Sequence, residues 1–235
     1  MYTFDSRIRY SECDSKGQLS LEGLINYFQD ASTFHSEDLG LGIEYLDKEK
    51  QVWVLCSWQI VVERYPEMGE RVVVGTFPYD FKGCFGSRNF FLKDEKGQYI
   101  AKANSLWTLL DLENQRPMKP TPIMLERYVL EEKLEMEYAP RKIDVPEGGS
   151  QQEPIVVHRN HLDTNHHVNN GQYVRMAMEY LPENFRIGEL RAEYKKQALL
   201  GDVIYPRVIM EENMCVVSLC DETGVIYVNV EFTKG

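Results

Sequence analysis

The feature that most constrains the fold is a set of landmarks that occurs twice, in the same order, along the chain. Three pairs match in type, at separations of 149, 132 and 127 residues: Asp14 with Asp163, Met68-Gly69-Glu70 with Leu200-Gly201-Asp202, and Asp94-Glu95-Lys96-Gly97 with Asp221-Glu222-Thr223-Gly224. In each copy, the first landmark (Asp14 or Asp163) lies between a strand-like segment and a helix. The glycine-containing triplet opens a strand, and the last four residues form a hairpin turn. The order predicts an internal duplication whose second copy is shorter.

The first copy has the pattern of a helix followed by long strands. One apolar stripe at helical spacing, with Ser20 as its N-cap, consists of Leu21, Leu24, Ile25, Phe28 and Ala31. Segments rich in β-branched and aromatic residues then predict four strands, at 52–64, 71–79, 85–93 and 99–111. A short strand at 7–10 and short helices at 43–50 and near 121–129 complete the prediction.

The second copy repeats this plan. A β-like segment at 154–157 precedes a polar run, and apolar residues then recur at 173, 176, 177, 180 and 181 before Pro182. Asn169 or Asn170 is the predicted N-cap of this helix. A proline-rich stretch connects the copies, and we assign residues 1–135 to the first, 136–153 to the connector and 154–235 to the second.

A buried helix followed by an antiparallel sheet suggests that the sheet wraps around the helix. Two such copies predict an α+β fold of the tandem, or double, hotdog type, in which each repeat is a long helix wrapped by an antiparallel β-sheet.

The bulk properties exclude several classes of function. A net charge of −11 argues against non-specific nucleic-acid binding. No apolar run approaches the ~20 residues that span a bilayer, and the start has no secretion-signal pattern. The five cysteines are scattered without metal-type spacing. These properties predict a cytoplasmic protein that binds neither membrane nor nucleic acid.

Four of the five histidines lie between positions 158 and 167, directly before the second helix. Polar side chains there can simply cap the helix, and the imidazole and carboxylate groups of 158, 161, 163, 166 and 167 can also bind a metal. Residues 166 and 167 are adjacent and tend to point apart, so we predict no metal. A neutral imidazole beside a carboxylate or amide is instead suited to general-base chemistry.

The two copies differ at this position. The first reads Asp14-Ser15-Lys16-Gly17-Gln18-Leu19-Ser20 and the second Asp163-Thr164-Asn165-His166-His167-Val168-Asn169. Because only the second offers imidazole groups beside the acid, we predict that the first copy is a binding copy and that the second is catalytic.

The second copy resembles the acyl-acyl carrier protein (ACP) thioesterases, which are double-hotdog enzymes. The matching residues are Asp163-x-Asn165-x-His167-Val168-Asn169-Asn170-x-x-Tyr173. The resemblance implies that Asp163, Asn165 and His167 are catalytic. Plant members carry an acid and a cysteine after a Tyr-basic-basic run, where this chain has Gln197 and Ala198. Glutamine can orient water but cannot act as a base.

The resemblance implies hydrolysis of fatty acyl-ACP without a cofactor. We expect Asn165 and Gln197 to orient water, and His167, helped by Asp163, to take its proton. Amides near Asn169, Asn170 and Gly171 would stabilise the oxyanion.

We predict that Tyr173, Trp58 and Trp107, with Phe28 as a further candidate, contact the substrate. The substrate partner is acyl carrier protein carrying a fatty acyl chain. Lys195-Lys196 reads as a solvated strand end, or with Arg159 and Arg191 as a basic patch for that carrier. An acyl-CoA thioesterase, a non-catalytic acyl-thioester sensor and a homodimeric assembly stay open.

Overall fold

The structure is a computed structural model that describes residues 1–163 and 165–235. These residues form two compact units, one of residues 1–56 and 60–138 and the other of residues 57–59 and 139–235. None of the helices in the described residues has the length and apolar character needed to cross a bilayer.

The first unit is an antiparallel sheet with a long helix against it. Its strands are β1 (Tyr2–Arg7), β2 (Gln51–Val62, of which 57–59 group with the second unit), β3 (Arg71–Lys82), β4 (Phe85–Asp94), β5 (Tyr99–Asp111) and β6 (Arg116–Pro117). They are ordered β1-β3-β4-β5-β2, and β6 pairs with β5. Its helices are α1 (Leu21–Asp38), α2 (Ile43–Lys48) and α3 (Pro122–Arg127). The four long strands lie where the sequence predicts them.

Helix α1 forms because its apolar residues share one face and its first turn is capped. Ser20 Oγ accepts a hydrogen bond from Gly23 N–H at 3.0 Å, as the sequence predicts. All five residues of the predicted stripe are buried, and the helix packs against β1 and β3. Phe28 is fully buried and its ring lies 5.4 Å from that of Phe90.

The first strand lies earlier than predicted. Instead of residues 7–10, β1 covers Tyr2–Arg7 and pairs antiparallel with β3. Its side chains alternate between half-buried and exposed, as on a sheet with one covered face. Beyond it, Arg9 N–H donates to the Glu12 carboxylate at 2.8 Å, and this bond starts a 3₁₀ turn over Tyr10–Glu12 that ends the extended chain.

The second unit repeats the plan with fewer residues. Its strands are β7 (Ser150–Gln151), β8 (Ile155–Val156), β9 (Ile187–Tyr194), β10 (Val203–Met210), β11 (Met214–Cys220) and β12 (Ile226–Lys234). They are ordered β9-β12-β11-β10-β7, and β8 pairs with β10. Helix α4 (Asn170–Met178) packs against β11 and β12 and has 9 residues, against 18 in α1.

The landmarks that repeat in the sequence also repeat in their hydrogen bonds. At the strand openings, Ile8 N–H donates to Glu70 O and Val157 N–H to Asp202 O, both at 2.9 Å. At the hairpin turns, the backbone N–H of each aspartate donates to the carbonyl oxygen of the residue four positions later, at 3.0 Å for Asp94 and 2.9 Å for Asp221. The two units therefore share backbone geometry as well as the order of their elements.

Candidate active site

The histidine-rich segment is a tight turn built around Asp163. Oδ1 of its carboxylate accepts hydrogen bonds from the backbone N–H of Asn165 (2.8 Å) and of His167 (3.2 Å). On the main chain, Asp163 N–H donates to His167 O at 2.8 Å, and His166 N–H donates to Asp163 O at 3.1 Å. The aspartate thereby fixes the backbone of the residues predicted to be catalytic.

Two contacts attach this turn to the segment that follows β9. Val168 N–H donates to Ala198 O at 3.1 Å, and His167 forms an isolated antiparallel bridge with Leu199. Gln197, one residue before this attachment, is exposed. The turn and the segment 197–199 are therefore held side by side within the second unit.

The His167 imidazole lies in a distinctive environment. The residue is half-buried, and its Nδ1 atom is buried without a hydrogen-bond partner among the described residues. The Asp163 carboxylate, which the sequence reading expected to assist this ring, instead accepts the two backbone amides. Asn165 is exposed. An unsatisfied buried imidazole nitrogen is rare in native proteins and often marks a functional group.

The start of α4 presents one open amide. Asn169 caps the helix as predicted, because its Oδ1 accepts from Gly171 N–H at 2.8 Å. Asn169 N–H donates to His161 O at 2.9 Å. Of the three predicted amides, only the N–H of Asn170 has no acceptor within residues 1–163 and 165–235. An amide at the positive end of a helix is suited to an anionic oxygen.

Two tyrosine hydroxyls bind backbone groups around this site. Tyr173 OH accepts from Ala198 N–H at 2.8 Å, and burial raises the pKa of this phenol to about 12. Tyr194 OH donates to Asn170 O at 3.0 Å, and burial also raises its pKa. Their rings meet edge to face with centroids 6.2 Å apart. Tyr173, predicted to bind substrate, therefore uses its hydroxyl on the backbone.

Two other histidines of the segment, His158 and His161, form a separate pair. His161 Nδ1 accepts from His158 N–H at 3.1 Å, and the ring centroids are 5.9 Å apart. Burial, followed by the charges of His158 and Arg175, lowers the pKa of His161. Within the part of the chain that the structure describes, no three His, Cys, Asp or Glu side chains are placed to share a metal ion.

The predicted substrate-contacting tryptophans lie in different units. Trp58 is buried in the second unit, whereas Trp107 is half-buried on β5 in the first. The indole N–H of Trp107 donates to Ser105 Oγ at 2.7 Å. Their contact with an acyl chain stays a prediction.

The basic residues near the site are largely paired with acids. Three of them form ion pairs: Arg191 with Glu231 (2.7 Å), Lys196 with Asp221 (2.9 Å) and Lys195 with Glu193 (3.5 Å). Arg159 is exposed. Because carboxylates offset most of the positive charge, the site has little of the basic patch considered from the sequence.

Sequence reasoning did not identify Tyr194 as a member of the site. The Tyr-basic-basic run that begins at Tyr194 is its local signal, since the partner Asn170 lies 24 residues earlier.

Comparison with known proteins decides the family. The family model for the acyl-ACP thioesterase N-terminal domain matches residues 1–128, and that for the C-terminal domain matches residues 146–233. The chain belongs to the acyl-ACP thioesterase family. Together the two matches cover most of the sequence, including both landmark aspartates.

Curated relatives are distant but extend over most of this chain. The chloroplastic acyl-(acyl-carrier-protein) hydrolase FATB1 of Cuphea viscosissima is 27% identical over 218 residues, covering 84% of this chain and 51% of the relative. The chloroplastic dodecanoyl-(acyl-carrier-protein) hydrolase of Cinnamomum camphora is 26% identical over 217 residues, covering 84% and 56%. The chain thus spans about half the length of the curated relatives it matches.

Solved structures of acyl-ACP thioesterases share the fold along the whole chain. One from Bacteroides thetaiotaomicron superimposes with a TM-score of 0.90 at 22% identity, covering 99% of this chain and 97% of that one. The 12:0-ACP thioesterase from Umbellularia californica gives 0.84 at 20% identity, covering 99% and 96%. The predicted tandem hotdog fold is confirmed.

Proposed function

We propose that this member of the family is a thioesterase that hydrolyses fatty acyl-ACP to a free fatty acid and the carrier protein. The observation that carries the proposal is that the second unit has an imidazole with a buried, unpartnered Nδ1 three residues before an open amide at the start of a helix. His167 supplies a group for proton transfer, and the Asn170 N–H supplies a donor for the oxyanion. Family membership supports the same reaction.

The proposed reaction is attack of water on the thioester carbonyl. Asn165 and Gln197 orient the water, and His167 takes its proton through Nε2, because Nδ1 is buried. The tetrahedral oxyanion points at the Asn170 amide. The C–S bond then breaks with its electrons going to sulfur, and the protonated imidazole gives its proton to the leaving thiolate, which departs as the carrier's thiol.

Asp163 supports this reaction through the backbone of the turn. Its carboxylate accepts two amides there, and no bond from it to the His167 ring occurs in the described residues. In this proposal it places Asn165 and His167 relative to each other. The degenerate first copy, with Trp107 on β5, and Trp58 are proposed to contact the acyl chain.

Gln197 motivates the non-catalytic alternative. Plant relatives are expected to carry an acid at this position, and a glutamine cannot take a proton. A protein that binds acyl thioesters without hydrolysing them would retain the turn and the helix start. The acyl-CoA thioesterase is the second alternative, since the same site can accept either thiol carrier.

The deciding measurement is thiol release from matched acyl-ACP and acyl-CoA thioesters of several chain lengths. We expect turnover on acyl-ACP that falls at least ~100-fold in His167→Ala. A second variant, Gln197→Glu, tests whether the glutamine limits the rate. Turnover confined to acyl-CoA would move the proposal to that carrier. Tight binding without turnover by the wild-type protein would overturn it in favour of the sensor.

The remaining parts of this proposal are the cytoplasmic location, a homodimeric assembly and the division into 1–135, 136–153 and 154–235. They stay predictions. The chromatographic mass of the purified chain would test the dimer, and expression of residues 1–135 and 154–235 separately would test the division.

A further inference from the structure

Some hydrogen bonds around the turn occur in both units, whereas others occur in only one. In the first unit, Leu19 N–H donates to Pro66 O at 2.8 Å, just as Val168 N–H donates to Ala198 O in the second. Pro66 therefore occupies the position of Ala198. This attachment of the turn is common to both copies and needs no catalytic explanation.

The hydroxyl bond of Tyr173 exists only in the second copy. Its counterpart in the first, 149 positions earlier, is Leu24, which has no hydroxyl. The counterpart of the Ala198 amide is Pro66, which has no N–H to donate. The second copy thus has both a donor and an acceptor where the first has neither. Ala198 is therefore held by two hydrogen bonds: its N–H donates to Tyr173 OH, and its carbonyl oxygen accepts from Val168 N–H.

The hydroxyl bond of Tyr194 is likewise confined to the second copy. Tyr194 ends β9, and the residue that ends β2, 132 positions earlier, is Val62. Valine cannot bind the first turn of α1 in the way that Tyr194 OH binds Asn170 O at 3.0 Å. The backbone carbonyl of Asn170 belongs to the residue that carries the open amide.

We propose that Tyr173 and Tyr194 are positioning residues for the thioesterase site, which rests on the proposed function. Tyr194 holds residue Asn170, so that its N–H stays directed at the oxyanion. Tyr173 holds Ala198, and through it the adjacent Gln197 and the Leu199 bridge to His167. The two rings contact each other edge to face, so the two restraints form one assembly.

Positioning of this kind affects the rate rather than the binding of substrate. Oxyanion donors and water-orienting groups act in the transition state, where small displacements are costly. A substrate-binding role for Tyr173, as the sequence reading has it, would instead raise KM when the contact is lost. The split between kcat and KM therefore separates the two roles.

The experiment compares Tyr173→Phe and Tyr194→Phe with the wild-type protein on its best acyl-ACP substrate. Each variant keeps the ring and removes only the hydroxyl. Tyr27→Phe is the matched control, because this buried first-unit tyrosine donates to Glu12 at 2.8 Å, beside the turn that lacks a histidine. Thermal unfolding of all three variants shows whether they fold and how much stability each hydroxyl contributes.

We expect kcat to fall about 10-fold in each of the two site variants, with KM within about twofold of the wild-type value. Tyr27→Phe should lose stability and keep its kcat. If both site variants keep kcat within about twofold, or lose activity only through KM, the proposal is overturned. A wild-type protein without acyl-ACP turnover would instead overturn the proposed function. Should one variant fail to fold, the other still decides the outcome.

Discussion

The turns that precede the two long helices have the same backbone and different chemistry. We refer to residues 13–20 as the first loop and to residues 162–169 as the second loop. In both, the aspartate N–H donates to the carbonyl four residues on at 2.8 Å, and the N–H three residues on donates back at 3.1 Å. In both, the aspartate Oδ1 also accepts two further backbone amides.

This likeness shows what the aspartate does before any chemistry is considered. Asp14 makes the same bonds as Asp163 in a loop that has no histidine. The aspartate is therefore first a residue that shapes the turn. What distinguishes the second loop is the side chains that the turn presents, above all Asn165 and His167 in place of Lys16 and Gln18.

The largest effect that tests this comparison is on activity. Asp163→Ala and Asp14→Ala each remove an oxygen that accepts two backbone amides, so each should lower the free energy of unfolding by about 1–2 kcal/mol. Only Asp163→Ala should also lower kcat, by about 100-fold, because it disorders the backbone of His167. Denaturant unfolding and steady-state kinetics on both variants measure the two effects.

Asp163→Asn separates shape from charge. The amide oxygen of asparagine can accept the same two N–H groups but cannot carry a negative charge. If Asp163 acts through the turn, Asp163→Asn should keep kcat within about 10-fold of wild type. A loss of kcat as large as that of Asp163→Ala would show that the carboxylate takes part in proton transfer. The hydrogen bonds that Asp163 shares with Asp14 would then not account for its role.

Local sequence patterns predicted the parts of the fold that depend on local physics. The stripe on α1, the Ser20 and Asn169 caps and the hairpin turns each follow from residues a few positions apart. From the apolar spacing alone, the second helix is predicted to start at Tyr173. Helix α4 instead begins at Asn170, because Asn169 caps it and the polar residues that follow form its first turn.

The details of the site depend on contacts between distant residues, which a pattern does not contain. The Tyr194 hydroxyl reaches Asn170 only because β9 ends beside the start of α4. The use of the Asp163 carboxylate on the backbone was equally hidden, since the same residue types fit a carboxylate–imidazole pair. The motif therefore identified the right loop but not the bonds within it.

Another test concerns a residue in the part of α1 for which the shorter α4 has no counterpart. His35, near the end of α1, is 6% exposed, and its Nδ1 lies 2.9 Å from Nη1 of the buried Arg88. Burial, followed by the charge of Arg88, lowers the pKa of His35 to about 3. The shorter α4 ends before a matching position.

The sign of the effect of pH on stability follows from the protonation of His35 in the folded and unfolded states. Below the ordinary pKa of 6.5 the unfolded chain binds a proton at His35 that the folded protein does not, so stability falls as the pH falls from there toward 3. The contribution is at most about 1.4 kcal/mol per pH unit. Denaturant unfolding at pH 7, 6 and 5 should show a shallower decline in His35→Gln. Equal slopes in the two proteins would mean that His35 takes up its proton over the same pH range in the folded and the unfolded state.

The smallest effect concerns one backbone angle that the two loops share. Gly17 has φ of 75° in the first loop, and His166 has φ of 61° at the matching position of the second. A left-handed conformation costs a residue with a Cβ roughly 1 kcal/mol relative to glycine. Because the unfolded glycine chain has a larger entropy, which opposes this gain by about 0.4–1 kcal/mol, His166→Gly should raise the free energy of unfolding by at most about 0.5 kcal/mol.

Gly17→Ala is the reverse change and should lower the free energy of unfolding by a similar amount. A Cβ at Gly17 would meet no atom within 4 Å, so the cost would come from the backbone angle alone. The kinetics of His166→Gly then decide why the second loop keeps a side chain there. Unchanged kcat would confine the chemistry to His167. A lower kcat in the more stable variant would mean that the second loop retains an unfavourable angle because the exposed His166 imidazole contributes to the reaction.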